Sequence, residues 1–363
     1  MQFSHDFSYK GYELNFVNLC FFDYKRISYN GGIFLEFDES FLGYGRYTFE
    51  RFEFENGEHL DDVDVEYFIS GTPKYDDEGN IINAIVFFHS YMGTCYSINE
   101  LYNMTSQCGP FNKEEYLLIS ITALGVPESC SPSKTGLNHH FPKYSALDCV
   151  NFQRQFLKEF LGIEHVFGVT GRGLGGYEVY TWACEYPDEM DFIIVSDSCY
   201  KTGGYRYAIS KVVGSIIDSS DAFYSDTYDS SLSQSMVSIN KLVYSNFFSR
   251  KVFYEMTNDE IDVLMDDFVE EGLFIDIYDL KFRNDFVLEY DVEDKLKNIN
   301  VPTLILANDN DIYYYHEFDT LPLNDLIENS EIVLYKTPEN PEAYWDVEFF
   351  SEIFNNFLKK VSL

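Results

Sequence analysis

Residues 164–183 read EHVFGVTGRGLGGYEVYTWA, and the reading of this stretch decides the fold. The apolar run 166–169 is strand-like. Four glycines follow, Gly171, Gly173, Gly175 and Gly176, and then a helical pattern. That is strand, tight turn, helix. Glycine serves such a turn because it tolerates positive φ and lets one backbone pass close to another.

Two chemistries use this layout. In the nucleophile elbow, G-x-S-x-G, a strained turn lifts a serine above the sheet. Gly171-Arg172-Gly173-Leu174-Gly175 fits that frame with glycine in the serine's place. In the dinucleotide fingerprint, G-x-G-x-x-G, the glycines admit a pyrophosphate at a helix N-terminus. Gly171, Gly173 and Gly176 satisfy it, and Asp197 stands about 20 residues on, where a ribose-binding acid belongs. That motif falls in mid-chain, after several strands, so the elbow is the preferred reading and NAD binding the lesser alternative.

The flanking sequence supplies the rest of an α/β pattern. Strand-like runs lie at 47–54, 63–70, 83–90, 116–121, 192–195, 301–307 and 331–335. Helical spacing marks 145–161, 175–186 and 346–361. Apolar runs of four to eight residues alternating with helices predict a mostly parallel sheet with helices on both faces. Between 200 and 298 the Val/Ile runs give way to Ser/Asp-rich helical patterns, which predicts a helical cap. The expected organisation is an N-terminal extension at 1–45, a core at 46–199 and 299–363, and the cap at 200–298.

The chain has 363 residues, a formal net charge of −36, 45% hydrophobic residues and 18% aromatic residues. So acidic a surface repels nucleic acid and anionic membranes, and neither is an expected partner. The seven cysteines are scattered, with no C-x-x-C or Cys/His cluster, which fits reduced thiols and no metal site. The first residues, MQFSHDFSYK, lack a basic segment followed by an apolar one, and no apolar run reaches the ~18 residues of a membrane span. The expectation is a cytoplasmic protein that needs no cofactor.

The order of motifs resembles the homoserine O-acetyltransferase family of the α/β-hydrolase fold, over roughly 45–361. NAIVFFHSYMGT resembles that family's strand and oxyanion loop, and VPTLILANDND the strand that bears its catalytic acid. TPENPEAYWD resembles the loop that bears its histidine, and the elbow stretch, with the helices on either side, is the most specific match. The resemblance implies a serine that takes an acyl group from a CoA ester, a histidine that moves the proton and an aspartate that orients the imidazole. Carried over residue by residue, the serine position is Gly173, the acid is Asp311 and the histidine position is Pro341. Two of the three side chains are absent. The resemblance also implies a homodimer formed through the cap and a small-molecule pocket beneath it.

This reading leaves a catalytically inactive relative with a binding, regulatory or scaffold role. The alternative is an active acyltransferase or hydrolase with a relocated nucleophile and base. Thr170 is the nearby hydroxyl, although a β-branched residue there suits a strand end. His316, five residues beyond Asp311, is the candidate base, and Asp309 the acid if the loop is shifted by two. His89 is expected to be structural and Cys199 a small buried hydrophobe. Backbone N–H groups of Leu174 and of Tyr91 or its neighbour would form the oxyanion site, with Arg172 adding positive charge or facing solvent.

Overall fold

A computed structural model describes residues 8–9, 12–13, 41–225, 228–246, 250–272, 275–336 and 347–361. The expected histidine loop, with Pro341, and most of the N-terminal extension lie outside the described residues. Strands form where the sequence predicts them: β1 (Gly43–Glu53), β2 (His59–Gly71), β3 (Ala84–Phe88), β4 (Leu117–Ile121), β5 (Gly168–Arg172), β6 (Ile193–Ser196), β7 (Thr303–Asn308) and β8 (Ser330–Tyr335). The first begins at Gly43, so a boundary at 45 falls inside the sheet.

These strands form one eight-stranded sheet in the order β8-β7-β6-β5-β3-β4-β2-β1. β1 pairs antiparallel with β2, and β2 with β4, while every other pairing is parallel. Strands β3, β4, β6 and β7 are buried at every position, as continuous apolar runs in a doubly covered sheet should be. β5 lies between β3 and β6 in the middle of the sheet. The loops at the carboxyl ends of β3, β5, β6 and β7 therefore converge on one edge, where open α/β sheets bind ligands.

Helix α1 (Ala146–Leu161) starts at a capping box. Ser145 Oγ accepts from the Leu147 and Asp148 N–H groups, and the Asp148 carboxylate accepts from Ser145 N–H at 2.8 Å. Helix α2 (Leu174–Glu185) follows the elbow and is buried along almost its whole length. α1 and α2 cover one face of the sheet. The C-terminal helix α7 (Val347–Val361) covers the other, with Phe350, Phe354, Phe357 and Leu358 buried on one stripe. Burying each of those side chains contributes about 1.5–3 kcal/mol.

Between β6 and β7 there is no strand among the described residues. Four longer helices stand there, α3 (Gly204–Asp218), α4 (Ser230–Tyr244), α5 (Asn258–Gly272) and α6 (Ile277–Glu289). Val213, Ile217, Leu232, Met236, Ile239 and Tyr278 make a separate apolar cluster within them. α6 serves both bodies. Its N-terminal half joins that cluster, while Phe286 and Val287 pack into the main core. Just beyond it, Tyr290 stacks on Tyr177 of α2 at 4.1 Å. Among the described residues no helix is long and apolar enough to cross a membrane.

Candidate active site

The turn between β5 and α2 has the elbow conformation. Gly173 stands between them at φ 58° and ψ −120°, a region costly for residues with a side chain. Its N–H donates to Ser196 O at 3.1 Å, and its carbonyl accepts from Ser198 Oγ at 2.7 Å. The other glycines are there for close approach. A Cβ on Gly171 would come within 2.5 Å of Gly175 O, and one on Gly175 within 2.5 Å of Phe88 O and 2.7 Å of His89 O. A Cβ on Gly176 would meet Ser198 Oγ at 2.3 Å. The spacing of these glycines follows from a turn wedged between β3 and β6.

Gly173 differs from its neighbours. A Cβ there would meet only ordinary contacts, Tyr314 Oη at 3.6 Å and Ser90 Cβ at 3.8 Å. A side chain has room, and among the described residues the group that faces it is a phenol, not an imidazole.

Asp311 lies in the turn after β7. Its Oδ1 accepts from the N–H groups of Tyr313 at 2.7 Å and Tyr314 at 2.9 Å. Its pKa is raised to about 6, chiefly by burial with a contribution from Asp197, against the opposing pull of the Tyr314 and Tyr313 N–H groups and of Arg172. The acid therefore shapes the loop that carries Tyr314.

Asp197, which the dinucleotide pattern would turn towards a ribose, is engaged within the sheet. It is buried at the end of β6 with φ 44°, and its carboxylate accepts from Arg172 Nε at 3.0 Å, Asn308 N–H at 3.0 Å and Tyr335 Oη at 2.6 Å. Those bonds tie β5, β6, β7 and β8 together at their carboxyl ends. Arg172 turns into this network. Packing and these bonds account for the acid and the glycines without the dinucleotide pattern. Asp309 ion-pairs with Lys336 at 3.4 Å.

His89 is fully committed. Its Nε2 accepts from Ala123 N–H at 2.9 Å, which leaves Nδ1 as the protonated nitrogen, donating to Ser90 O at 2.8 Å. Burial holds its pKa down at about 4. With its one lone pair taken, this ring braces the loop after β3 and has no free nitrogen to act as a base. The Tyr91 carbonyl of the same loop accepts from Arg283 Nη1, and Arg283 Nη2 donates to Gly125 O at 3.2 Å. Arg283 also lies over the Tyr91 ring at 4.9 Å.

Behind the loop is a cavity of about 10 Å³ between Tyr91, Leu174, Glu178, Tyr144, Arg283 and Phe286. It is roughly the size of one water. Glu178 is 3% exposed, takes a hydrogen bond from Gln153 Nε2 at 3.0 Å and is pushed by burial to about 8.

None of the remaining candidates supplies the three atoms nearest a Cβ at Gly173. Thr170 is inside β5, paired with Phe87 and Ile194. Cys199 is buried, and burial pushes its thiol to about 12, so no thiolate forms near neutral pH. His316 opens the short helix His316–Asp319, with Nδ1 buried. The sequence reading missed Tyr314, Arg206, Glu178 and Arg283. The run Tyr313-Tyr314-Tyr315 after the acid strand was a visible signal. The partners of the two arginines are too distant in sequence to have been read.

No protein-family profile matches the chain. It is 35% identical over 312 residues to a probable acyltransferase of Methanothermobacter thermautotrophicus, which spans 86% of this chain and 96% of that one. It is 28% identical over 157 residues to the homoserine O-acetyltransferase of Gluconobacter oxydans, which covers 38% of each chain. The crystal structure of homoserine O-acetyltransferase from Bacillus anthracis superposes with a TM-score of 0.74 at 17% identity, over 87% of this chain and 97% of that one. At that identity the structural likeness speaks for the fold alone. Together with the near full-length relative, these findings lead to one conclusion: the chain belongs to the homoserine O-acetyltransferase-like family of the α/β-hydrolase superfamily.

Proposed function

We propose that this chain is a catalytically inactive member of its family with a binding, regulatory or scaffold role. One observation carries the reading. Gly173 keeps the backbone of a nucleophile elbow but has no side chain to be acylated, and a tyrosine hydroxyl stands 3.6 Å from where its Cβ would be. A phenol is a poor substitute for the imidazole of the triad, because burial pushes the Tyr314 hydroxyl well above its ordinary pKa. His89 has no free lone pair, and the cavity beside the oxyanion loop is water-sized. Each feature suits a site retained as a scaffold. A homodimer through the cap and a cytoplasmic location belong to the same proposal.

The rival is an acyltransferase or hydrolase with relocated groups, favoured by the description of the 35% identical relative as a probable acyltransferase. Incubation with acetyl-CoA and homoserine, followed by a fluorophosphonate probe for activated hydroxyls, separates the two. The inactive reading expects neither turnover nor labelling, and either result in the purified chain ends it.

A further inference from the structure

The segment that carries Tyr314 is fastened to the cap. Arg206, on the first turn of α3, is only 3% exposed. Its guanidinium forms a two-pronged pair with Asp319, at 2.5 and 2.8 Å, and Asp319 is itself buried. The same group donates to Tyr313 O at 3.1 Å and Lys201 O at 2.9 Å, and it lies over the Tyr314 ring at 5.2 Å. One cap side chain thus grips three points of the 313–319 segment. At the other end, Asp311 holds the N–H groups of Tyr313 and Tyr314. Between these two fastenings the Tyr314 side chain reaches the elbow niche above Gly173.

We propose that residues 311–319 form a plug that occupies the elbow niche, and that the Arg206–Asp319 pair is the latch by which the cap holds it shut. Two features distinguish a plug from ordinary core packing. Tyr314 reaches the niche with its hydroxyl and one ring edge, and it stands next to exposed Tyr315 and Phe318. The fastening is also strongly asymmetric: the Asp311 turn is local, whereas the grip at the other end comes from an element more than a hundred residues away in sequence. A buried, forked ion pair is geometrically selective, and removing one partner leaves an uncompensated charge. Movement of α3 relative to the sheet would release the plug, so occupancy of the niche depends on the position of the cap.

Access to the niche can be measured without reference to turnover, so failure of this inference leaves the inactive reading untouched, and the reverse holds too. Gly173→Cys puts a thiol in the niche, and its alkylation by iodoacetamide is followed by peptide mass mapping, which separates it from the native cysteines. With the plug and latch intact, alkylation is slow. Tyr314→Gly in the same background raises the rate at least about ten-fold, as does Asp319→Asn, which keeps the size of the side chain and removes the charge that the Arg206 fork grips, by favouring local opening. No rise with Tyr314→Gly overturns the plug. A rise with Tyr314→Gly but none with Asp319→Asn overturns the latch. Should Asp319→Asn fail to fold, Arg206→Lys keeps the charge and loses the fork. It is expected to raise the rate about three-fold, and a rate equal to that of the parent overturns the latch.

Discussion

Tyr314 Oη lies 3.6 Å from the position that a Cβ on Gly173 would occupy. The distance is an ordinary van der Waals contact, so the tyrosine does not itself forbid a serine. Gly173→Ser is therefore expected to fold, with a cost of about 1–3 kcal/mol for a side chain at φ 58°. Its new hydroxyl would face a phenol whose pKa burial holds well above the ordinary value, so no base would take its proton. Turnover of acetyl-CoA with homoserine should stay at background, and so should fluorophosphonate labelling. Recovery of activity on this one change would mean that another group has replaced the histidine.

The four glycines of the elbow differ in what they tolerate, and alanine substitution can rank them. Gly175→Ala pushes a Cβ to 2.5 Å from Phe88 O, a backbone atom of a central strand that has nowhere to go. A loss of about 2–4 kcal/mol is expected, the scale of overpacking plus strand displacement. Gly173→Ala meets nothing closer than 3.6 Å and carries only the strain of positive φ, the same about 1–3 kcal/mol and no packing cost, so it is expected to lose less than Gly175→Ala. Urea denaturation of the two variants checks the order. If Gly173→Ala were the more damaging, the packing account of the turn would be wrong.

Much of this fold was legible before any coordinates, because its strands are buried on both faces and so appear as unbroken apolar runs, as in 84–88 and 117–121. The elbow was legible for a similar reason, since a closely approaching backbone leaves glycine as the residue that fits at 171 and 175, and the Ser198 and Val195 side chains do the same at 176. The site was less so. Nothing near Arg206 in sequence marks Asp319 as its partner, and nothing around Glu178 announces that a glutamate on α2 faces inward. Those relationships are fixed by the crossing of the cap over the sheet edge, which is set by packing of distant segments. The sequence alone also left Arg172 undecided between solvent and the site. The structure turns it sideways to Asp197, 3.0 Å away.

That lateral pair is the basis of a third prediction. The Asp197 carboxylate accepts three hydrogen bonds from three other strand ends. Asp197→Ala removes both acceptor oxygens and with them all three hydrogen bonds, including those from the buried Tyr335 hydroxyl and the Asn308 N–H. It also puts alanine at φ 44°, where aspartate is better tolerated. A destabilisation of about 3–5 kcal/mol follows from the loss of buried partners of this kind. Asp197→Asn, which keeps an acceptor oxygen, should lose clearly less. Equal losses in thermal unfolding would show that the charge on Asp197, and not its hydrogen bonding, holds the strand ends.

Glu178 supplies a prediction about pH. Its folded-state pKa, raised by burial to about 8, stands above the ordinary value of 4.5. Below pH 4.5 both the folded and unfolded chains hold the proton, and the group's contribution to stability is fully present. As pH rises from 4.5 towards 8 the unfolded chain gives up the proton while the folded chain keeps it, so unfolding becomes easier. Beyond pH 8 both states are ionised and the loss is complete. The folded protein should therefore lose on the order of 2–4 kcal/mol across that window through this one group. Glu66, also raised to about 8 by burial, adds a loss in the same window, and His89, held down at about 4, adds one of opposite slope between its ordinary 6.5 and 4. Neither is altered by Glu178→Gln, so both cancel in the difference between the two proteins. The glutamine side chain of that variant retains an oxygen for the Gln153 amide and cannot ionise. The stability of the native chain minus that of the variant, from denaturant titrations at pH 5, 6.5 and 8, should fall steadily with pH. A difference that stays flat across those three points would mean that Glu178 reaches enough water, or a close enough approach to Arg283, to ionise at its ordinary pKa inside the folded protein.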